Sequence, residues 1–151
     1  MPQLPAESAR HDHPVRTVAR VLLGGALGSA GVGHLTVARE EFRAQVPRWL
    51  PLDPDFVVVA SGVVEVALGA ALVLAPRRLR PAVGWAAAAF FVAIFPGNIA
   101  QWADRIDAFG LNTDAARFGR LFFQPVLVVW ALWATGAWHA WRNRPERRAE
   151  R

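Results

Sequence analysis

The stretch Phe56–Pro76, FVVVASGVVEVALGAALVLAP, runs for 21 residues with a single charged side chain, Glu65. At about 1.5 Å of rise per residue, a helix of that length covers the roughly 30 Å hydrocarbon core of a bilayer. A helix of a soluble bundle would carry a polar face at helical spacing, and this stretch has none. Working outward, the windows Val21–Ala38, Pro81–Ala103 and Leu121–Trp141 hold 18, 23 and 21 residues without Asp, Glu, Lys or Arg. Four such windows predict an all-α fold, an integral membrane four-helix bundle. Residues 20–141 form its one domain, between a polar tail at 1–19 and a basic tail at 142–151.

The mean hydropathy of +0.22 understates this character because both tails are polar. All 17 basic residues are arginine and the net charge is +5. These arginines lie in tails and turns around apolar runs, so they read as topology signals, and no nucleic-acid partner is expected. Eleven flank the tails and the turn PRRLRP (Pro76–Pro81), and six (Arg39, Arg43, Arg48, Arg105, Arg117 and Arg120) fall on the other side. The positive-inside rule then puts both termini in the cytoplasm, in an inner (plasma) membrane protein whose immediate partner is the lipid bilayer. The N-terminal MPQLPAESARHDHPVR has no apolar core, so an uncleaved first helix is expected in place of a signal peptide. There is no cysteine, which excludes a disulfide, a thiol relay, an iron–sulfur cluster or a thiolate metal site within the chain.

Small residues indicate which faces meet. In GGALGSAGVG (Gly24–Gly33), Gly25, Ser29 and Gly33 recur every four residues, and in the second window Ser61 and Gly69 flank Glu65 at the same spacing. Both combs are expected to point into the bundle, since small residues let membrane helices approach closely. Between these windows, three prolines forbid a long helix, and Phe42, Val46, Trp49 and Leu50 form a short amphipathic segment at the outer interface. Asn112–Asp114 reads as an N-cap leading into the fourth span. Trp130 and Trp133 are expected deep in the fourth span, with Trp138 and Trp141 at the inner interface.

The polar residues inside the windows carry the functional reading. A carboxylate at a helix centre costs about 2.5–3.5 kcal/mol on insertion scales, so Glu65 must be protonated, paired or facing a polar cavity. His34 is its candidate partner. In FPGNIAQW (Phe95–Trp102), Pro96 lacks an N–H and frees the carbonyl of Val92, which kinks the helix. Backbone freed in lipid needs partners, so this segment should face protein or a cavity. Asn98 supplies donors and an acceptor there, and Gln124 beside Pro125, with Arg120 one turn outward, repeats the device. By window length, His34, Asn98 and Gln124 lie within about 6 Å of the outer helix ends and Glu65 about 14 Å deep. The candidate ligand-binding set is thus His34, Glu65, Asn98, Gln124 and Arg120, around a polar pocket opening outward. His11, Asp12 and His13 form a cluster in the N-terminal tail that reads as solvated, with no metal assigned.

Five segments resemble the DoxX-like family of small bacterial four-helix membrane proteins. They are AGVGHL (Ala30–Leu35), VPRWLP (Val46–Pro51), SGVVEVALGAALVLAPRRLRPA (Ser61–Ala82), VAIFPGNIAQW (Val92–Trp102) and RLFFQP (Arg120–Pro125), and the resemblance covers about residues 20–135. Family members usually have a proline after the Arg-Leu pair, where Phe122 stands here. The resemblance implies a four-helix bundle and a membrane redox protein as partner, since the family is named for a subunit associated with a terminal quinol oxidase and some relatives are linked to thiol-redox or oxidative-stress complexes. It points to a subunit or binding protein more than to a stand-alone enzyme, and to a quinone as candidate cofactor. Haem is not expected, because no histidine pair is placed to hold it. Two functional readings follow. In one, the pocket binds a quinone-like or lipid-like molecule with a polar head. In the other, the protein is a non-catalytic membrane assembly or scaffold. A small transporter is a further alternative, and association with further copies of the chain as a homo-oligomer is left open.

Overall fold

The computed structural model describes residues 13–142. Seven helices are found there, with no strand among the described residues: α1 (Pro14–Leu35), α2 (Arg39–Arg43), α3 (Pro54–Leu74), α4 (Arg80–Ala103), α5 (Asp114–Leu121), α6 (Phe123–Ala134) and α7 (Ala137–Arg142). His11 and Asp12 of the N-terminal cluster and the tail beyond Arg142 lie outside the described residues. Four spans of 22, 21, 24 and 21 residues are long and apolar enough to cross a membrane: α1, α3, α4 and the composite Asp114–Ala134. The protein is therefore a multi-pass, all-helical membrane protein. Burial supports this reading, because alanines and glycines fill much of the interior while Leu22, Val63, Val92, Phe123 and Val129 stand exposed as lipid would require.

Prolines start α1, α3 and α4 in the first turn, where a missing N–H has no helical acceptor to leave empty. Asp53 caps α3 by accepting from Phe56 N–H at 2.9 Å, and Thr113 caps α5 by accepting from Ala116 N–H at 3.2 Å. The cap expected within Asn112–Asp114 is thus Thr113.

α1 packs along α3 and α4 along α6, and sparser α1–α6 and α3–α4 contacts join the two pairs. The α1/α3 seam is antiparallel and built on a comb of alternating four- and three-residue steps. Arg20, Gly24, Leu27, Gly31 and His34 are buried on α1, and Val58, Gly62, Glu65, Gly69 and Leu72 on α3. A Cβ on Gly31 would stand 2.7 Å from the Gly62 carbonyl oxygen, and one on Gly69 2.7 Å from that of Gly24. The backbones touch at both places, so no other residue fits without separating the helices. This corrects the expected face of α1. Gly25 and Ser29 are exposed, with nothing within 4 Å of a Cβ on Gly25, and the partly buried Gly33 is open enough for one. The packing repeat is seven residues, not four, and it selects the other glycines of the same run.

Three further boundaries differ from expectation. α1 begins at Pro14, seven residues before its uncharged window, which takes Arg16 and Arg20 into the helix. Arg20 is buried and donates to the carbonyls of Leu72 and, at 2.9 Å, Val73, so it caps the end of α3 as well as adding positive charge at that end. The fourth span runs from Asp114 to Ala134, not from Leu121 to Trp141. Gly136, at φ +72°, turns the chain into the separate α7, which carries Trp138 and Trp141. Sequence alone cannot see this end, because the uncharged window runs on to Trp141 without a break. The span is broken at Phe122, and Pro125 sits in the first turn of α6; α4 runs unbroken through Pro96. Trp130 packs inward, its indole N–H donating to Ala19 O at 3.0 Å.

Leu23, Leu27, Leu72, Ala87, Phe91 and Ala131 form the apolar centre. At the end bearing α2 and the 104–113 loop, the two helix pairs part around a cavity.

Candidate binding site

The cavity has a volume of about 700 Å³, and all five sequence-predicted residues, His34, Glu65, Asn98, Arg120 and Gln124, line it. That volume lies in the range of roughly 300–1,000 Å³ typical of small-molecule sites. Its lining is mostly apolar, with Leu27, Val58, Phe91, Ile94 and Leu127 among the residues below and beside the polar groups.

On the α1/α3 wall, Glu65 Oε2 lies 2.9 Å from His34 Nδ1. The same Nδ1 lies 2.9 Å from Ala30 O, a pure acceptor, so it carries the proton. That N–H is aligned on Ala30, which leaves Glu65 Oε2 close to the ring yet without an aligned hydrogen bond. The pair is therefore an electrostatic contact first and a hydrogen bond only after a small ring rotation. Ser61 Oγ reaches Glu65 Oε1 at a long 3.5 Å. Glu65 is 3% exposed, so an under-satisfied carboxylate stands in the cavity wall.

On the α4/α6 wall, Gln124 Nε2 donates to Phe91 O at 2.5 Å, and Asn98 Nδ2 donates to Gln124 Oε1 at 2.9 Å. The carbonyl fixes the polarity of the chain. Phe91 O can only accept, so Gln124 turns its NH₂ there and its oxygen towards Asn98, which must donate and keeps Oδ1 for the cavity. The carbonyl used is that of Phe91, one residue before the Val92 carbonyl that Pro96 frees. Gln124 stands well inside its span, deeper than expected, because that span begins at Asp114.

A second amide chain was not foreseen. Gln101, 1% exposed, turns Nε2 towards Ile106 O and Ala108 O at 3.4 Å each and accepts from Gln45 Nε2 at 3.1 Å. Gln45 Oε1 then faces Arg120 Nη2 at 3.5 Å. Gln101 is one turn beyond Asn98 on α4, a signal the sequence did carry, whereas Gln45 sits in a loop where a glutamine means little.

Aromatic contacts join the walls. His34 stacks on Phe42 with centroids 3.3 Å apart, Phe42 meets Phe109 at 4.5 Å, and the Arg120 guanidinium lies 5.4 Å from the Phe109 ring centroid. All four side chains line the cavity. Phe109 is held at φ +55°, a strained conformation for a bulky residue, while its N–H donates to Glu41 Oε2 at 2.7 Å and Gln101 holds the preceding carbonyl. Phe42, expected at the membrane interface, instead belongs to this stack.

The structure thus joins His34 to Glu65 and Asn98 to Gln124, and among the described residues no hydrogen bond links the two pairs. They share a cavity, not a network. A family model, Domain of unknown function (DUF8561), matches residues 23–135. The chain belongs to that family. No curated protein and no solved structure matches it. The DUF8561 match takes in all five candidate residues and both glycine pairs of the α1/α3 seam.

Proposed function

We propose that the protein is a membrane ligand-binding subunit whose cavity holds a small apolar molecule with a polar head, quinone-like or lipid-like. The observation that carries this reading is one cavity of about 700 Å³ with an apolar floor, in whose wall Arg120 has donor capacity, and Glu65 Oε2 and Asn98 Oδ1 acceptor capacity, unused by the protein. An aromatic stack alongside suits a ring or an unsaturated head. The redox association, and with it a membrane redox partner, rests on the DoxX-like resemblance. Both termini in the cytoplasm, in an inner membrane, rests on the arginine split of 11 to 6.

The decisive experiment is organic extraction of the protein purified in mild detergent, followed by mass spectrometry. A quinone or single lipid recovered at one per chain supports the reading. Its absence, with a second protein co-purifying at fixed ratio, overturns it in favour of a scaffold. That alternative is favoured by one observation: His34–Glu65 and Asn98–Gln124 each bridge two helices and so serve as bolts. A transport path would have to cross the apolar centre at Leu23, Leu72 and Ala131. Reporter fusions after Arg80 and Arg142 should read cytoplasmic and one at Asn112 external; the reverse pattern overturns the orientation.

A further inference from the structure

At the cavity end of the bundle, Arg39, Arg43, Arg105 and Arg117 each have a carboxylate within 4 Å. Arg48 and Arg120 do not, and whereas Arg48 is exposed, Arg120 is half-buried in a membrane-spanning segment and lines the cavity. Among the described residues its contacts are a long 3.5 Å hydrogen bond to Gln45 and the face of Phe109. A guanidinium carries five N–H donors, so most of its donor capacity is unspent. A cation removed from water calls for a counter-charge, and Glu65 does not provide one at Arg120, being held at His34 and Ser61. Gln45 is itself fixed by Gln101, so the guanidinium is held from behind by an amide chain tied to the backbone.

We propose that the cavity takes a single-chain amphiphile with an oxyanion head, a carboxylate or a phosphate monoester, whose head pairs with Arg120. This rests on the proposed binding function and narrows its ligand class. Arg120 offers a planar donor fork that matches either oxyanion, and cation–π contact with Phe109 holds the fork in place without using its N–H groups. The cavity is sized for one drug-sized molecule, which favours one acyl chain over a two-chain lipid. The Glu65 carboxyl on the opposite wall is already in contact with His34 and Ser61, so the head goes to Arg120 and its chain lies on the apolar lining at Leu27, Ile94 and Leu127.

The test is native mass spectrometry of the delipidated protein in detergent, titrated with palmitate, palmitoyl lysophosphatidate and the neutral analogue hexadecanol. Wild type should bind at least one anion at one per chain, about ten- to a hundredfold tighter than hexadecanol, the scale of a hydrogen bond between charged partners. Palmitate alone would identify a carboxylate and lysophosphatidate alone a phosphate. Arg120→Gln should lose that preference, and Arg120→Lys, which keeps the charge but not the fork, should keep only part of it. Hexadecanol bound as tightly as both anions to wild type overturns the inference and leaves the cavity reading standing; this arm needs no variant to fold. An Arg120→Gln protein of unchanged anion preference also overturns it. Binding of none of the three overturns it as well, and the broader reading is then judged by the extraction experiment alone.

Discussion

The α1/α3 and α4/α6 pairs face each other across the cavity and hold together by different means. α1 and α3 close on glycine, with backbone against backbone at Gly31–Gly62 and Gly24–Gly69, and carry the polar contact His34–Glu65 beside it. α4 and α6 also have a glycine contact, Gly84 against Thr135, but it lies at the far end. At the cavity they rely on prolines and on the neutral amides Asn98 and Gln124. The contrast has a physical reason. Glycine contacts fix the spacing of two helices without using polar groups, which leaves Glu65 free to be under-satisfied. Pro96 strips a hydrogen bond from the Val92 carbonyl within the span, while the amides near it bond to one another and to the Phe91 carbonyl. One wall is therefore set by shape and keeps spare polarity, while the other spends most of its polarity on cohesion.

The sharpest way to break the comparison is at the glycines. Gly31→Ala puts a methyl 2.7 Å from the Gly62 carbonyl oxygen and should cost about 1–3 kcal/mol or more, read as a lower melting temperature in detergent. Gly25→Ala, with nothing within 4 Å, should be neutral or gain a few tenths of a kcal/mol from helix propensity, within about 1 kcal/mol at most. Equal losses for the two would mean that α1 packs on the face first expected from the four-residue spacing.

Next in size is the His34–Glu65 contact. Glu65→Ala should destabilise by about 1–3 kcal/mol, and His34→Ala and Glu65→Ala together should cost less than the sum of the single losses, because each removes the other's partner. Glu65→Gln keeps the shape. It should leave stability nearly unchanged while altering occupancy by any extracted molecule. Additive losses in the double mutant would separate the two residues into independent roles.

These glycines also show how far the sequence could be read. The four spans were legible because bilayer thickness imposes a length that few other folds demand. The packing face of α1 was not, since Gly24–Gly33 contains glycines on two faces, and only the partner helix chooses between four- and seven-residue repeats. Four of the five cavity residues, His34, Glu65, Asn98 and Gln124, were legible as polar groups that lipid forbids, and Arg120 as a charge one turn outward of Gln124. Gln45, Phe42 and Phe109 were not, because polar and aromatic residues are ordinary in loops, and their role depends on a loop conformation set by Glu41 and Gln101. Arg20 was read only as a topology charge because the first helix starts earlier than its uncharged window; charge on the first turns of a span looks like a flank until the helix is seen.

A smaller effect is expected at the amides. Gln124→Ala leaves Asn98 Nδ2 without its acceptor and Phe91 O without its side-chain donor, and should cost about 0.5–1.5 kcal/mol. Asn98→Ala removes only the outer link and should cost less, near the ~0.6 kcal/mol average for hydrogen bonds between membrane helices. The reverse order would mean that Asn98, not Gln124, is the hub of this wall.

The smallest effect should come from a proline. Pro125 occupies the third residue of α6, and the first four N–H groups of a helix have no intrahelical acceptor, so its missing N–H leaves nothing inside α6 unpaired. Pro125→Ala should then shift stability by no more than about 0.5 kcal/mol, as for a substitution away from any strained or packed feature. Pro96 differs, because it lies inside α4, where its absent N–H does strip a carbonyl within the span. Pro96→Ala should change both the melting temperature and ligand occupancy, as the freed backbone near Asn98 regains its own partner. A clear gain in stability for Pro125→Ala would show that the new N–H has found Leu121 O and fused α5 to α6. The break at Phe122 would then be the work of the proline, and the placing of Arg120 relative to Gln124 would depend on it. Near-neutral behaviour assigns the break instead to the packing of α5, whose Arg117 is anchored on Asp107, Asp114 and the Leu111 carbonyl.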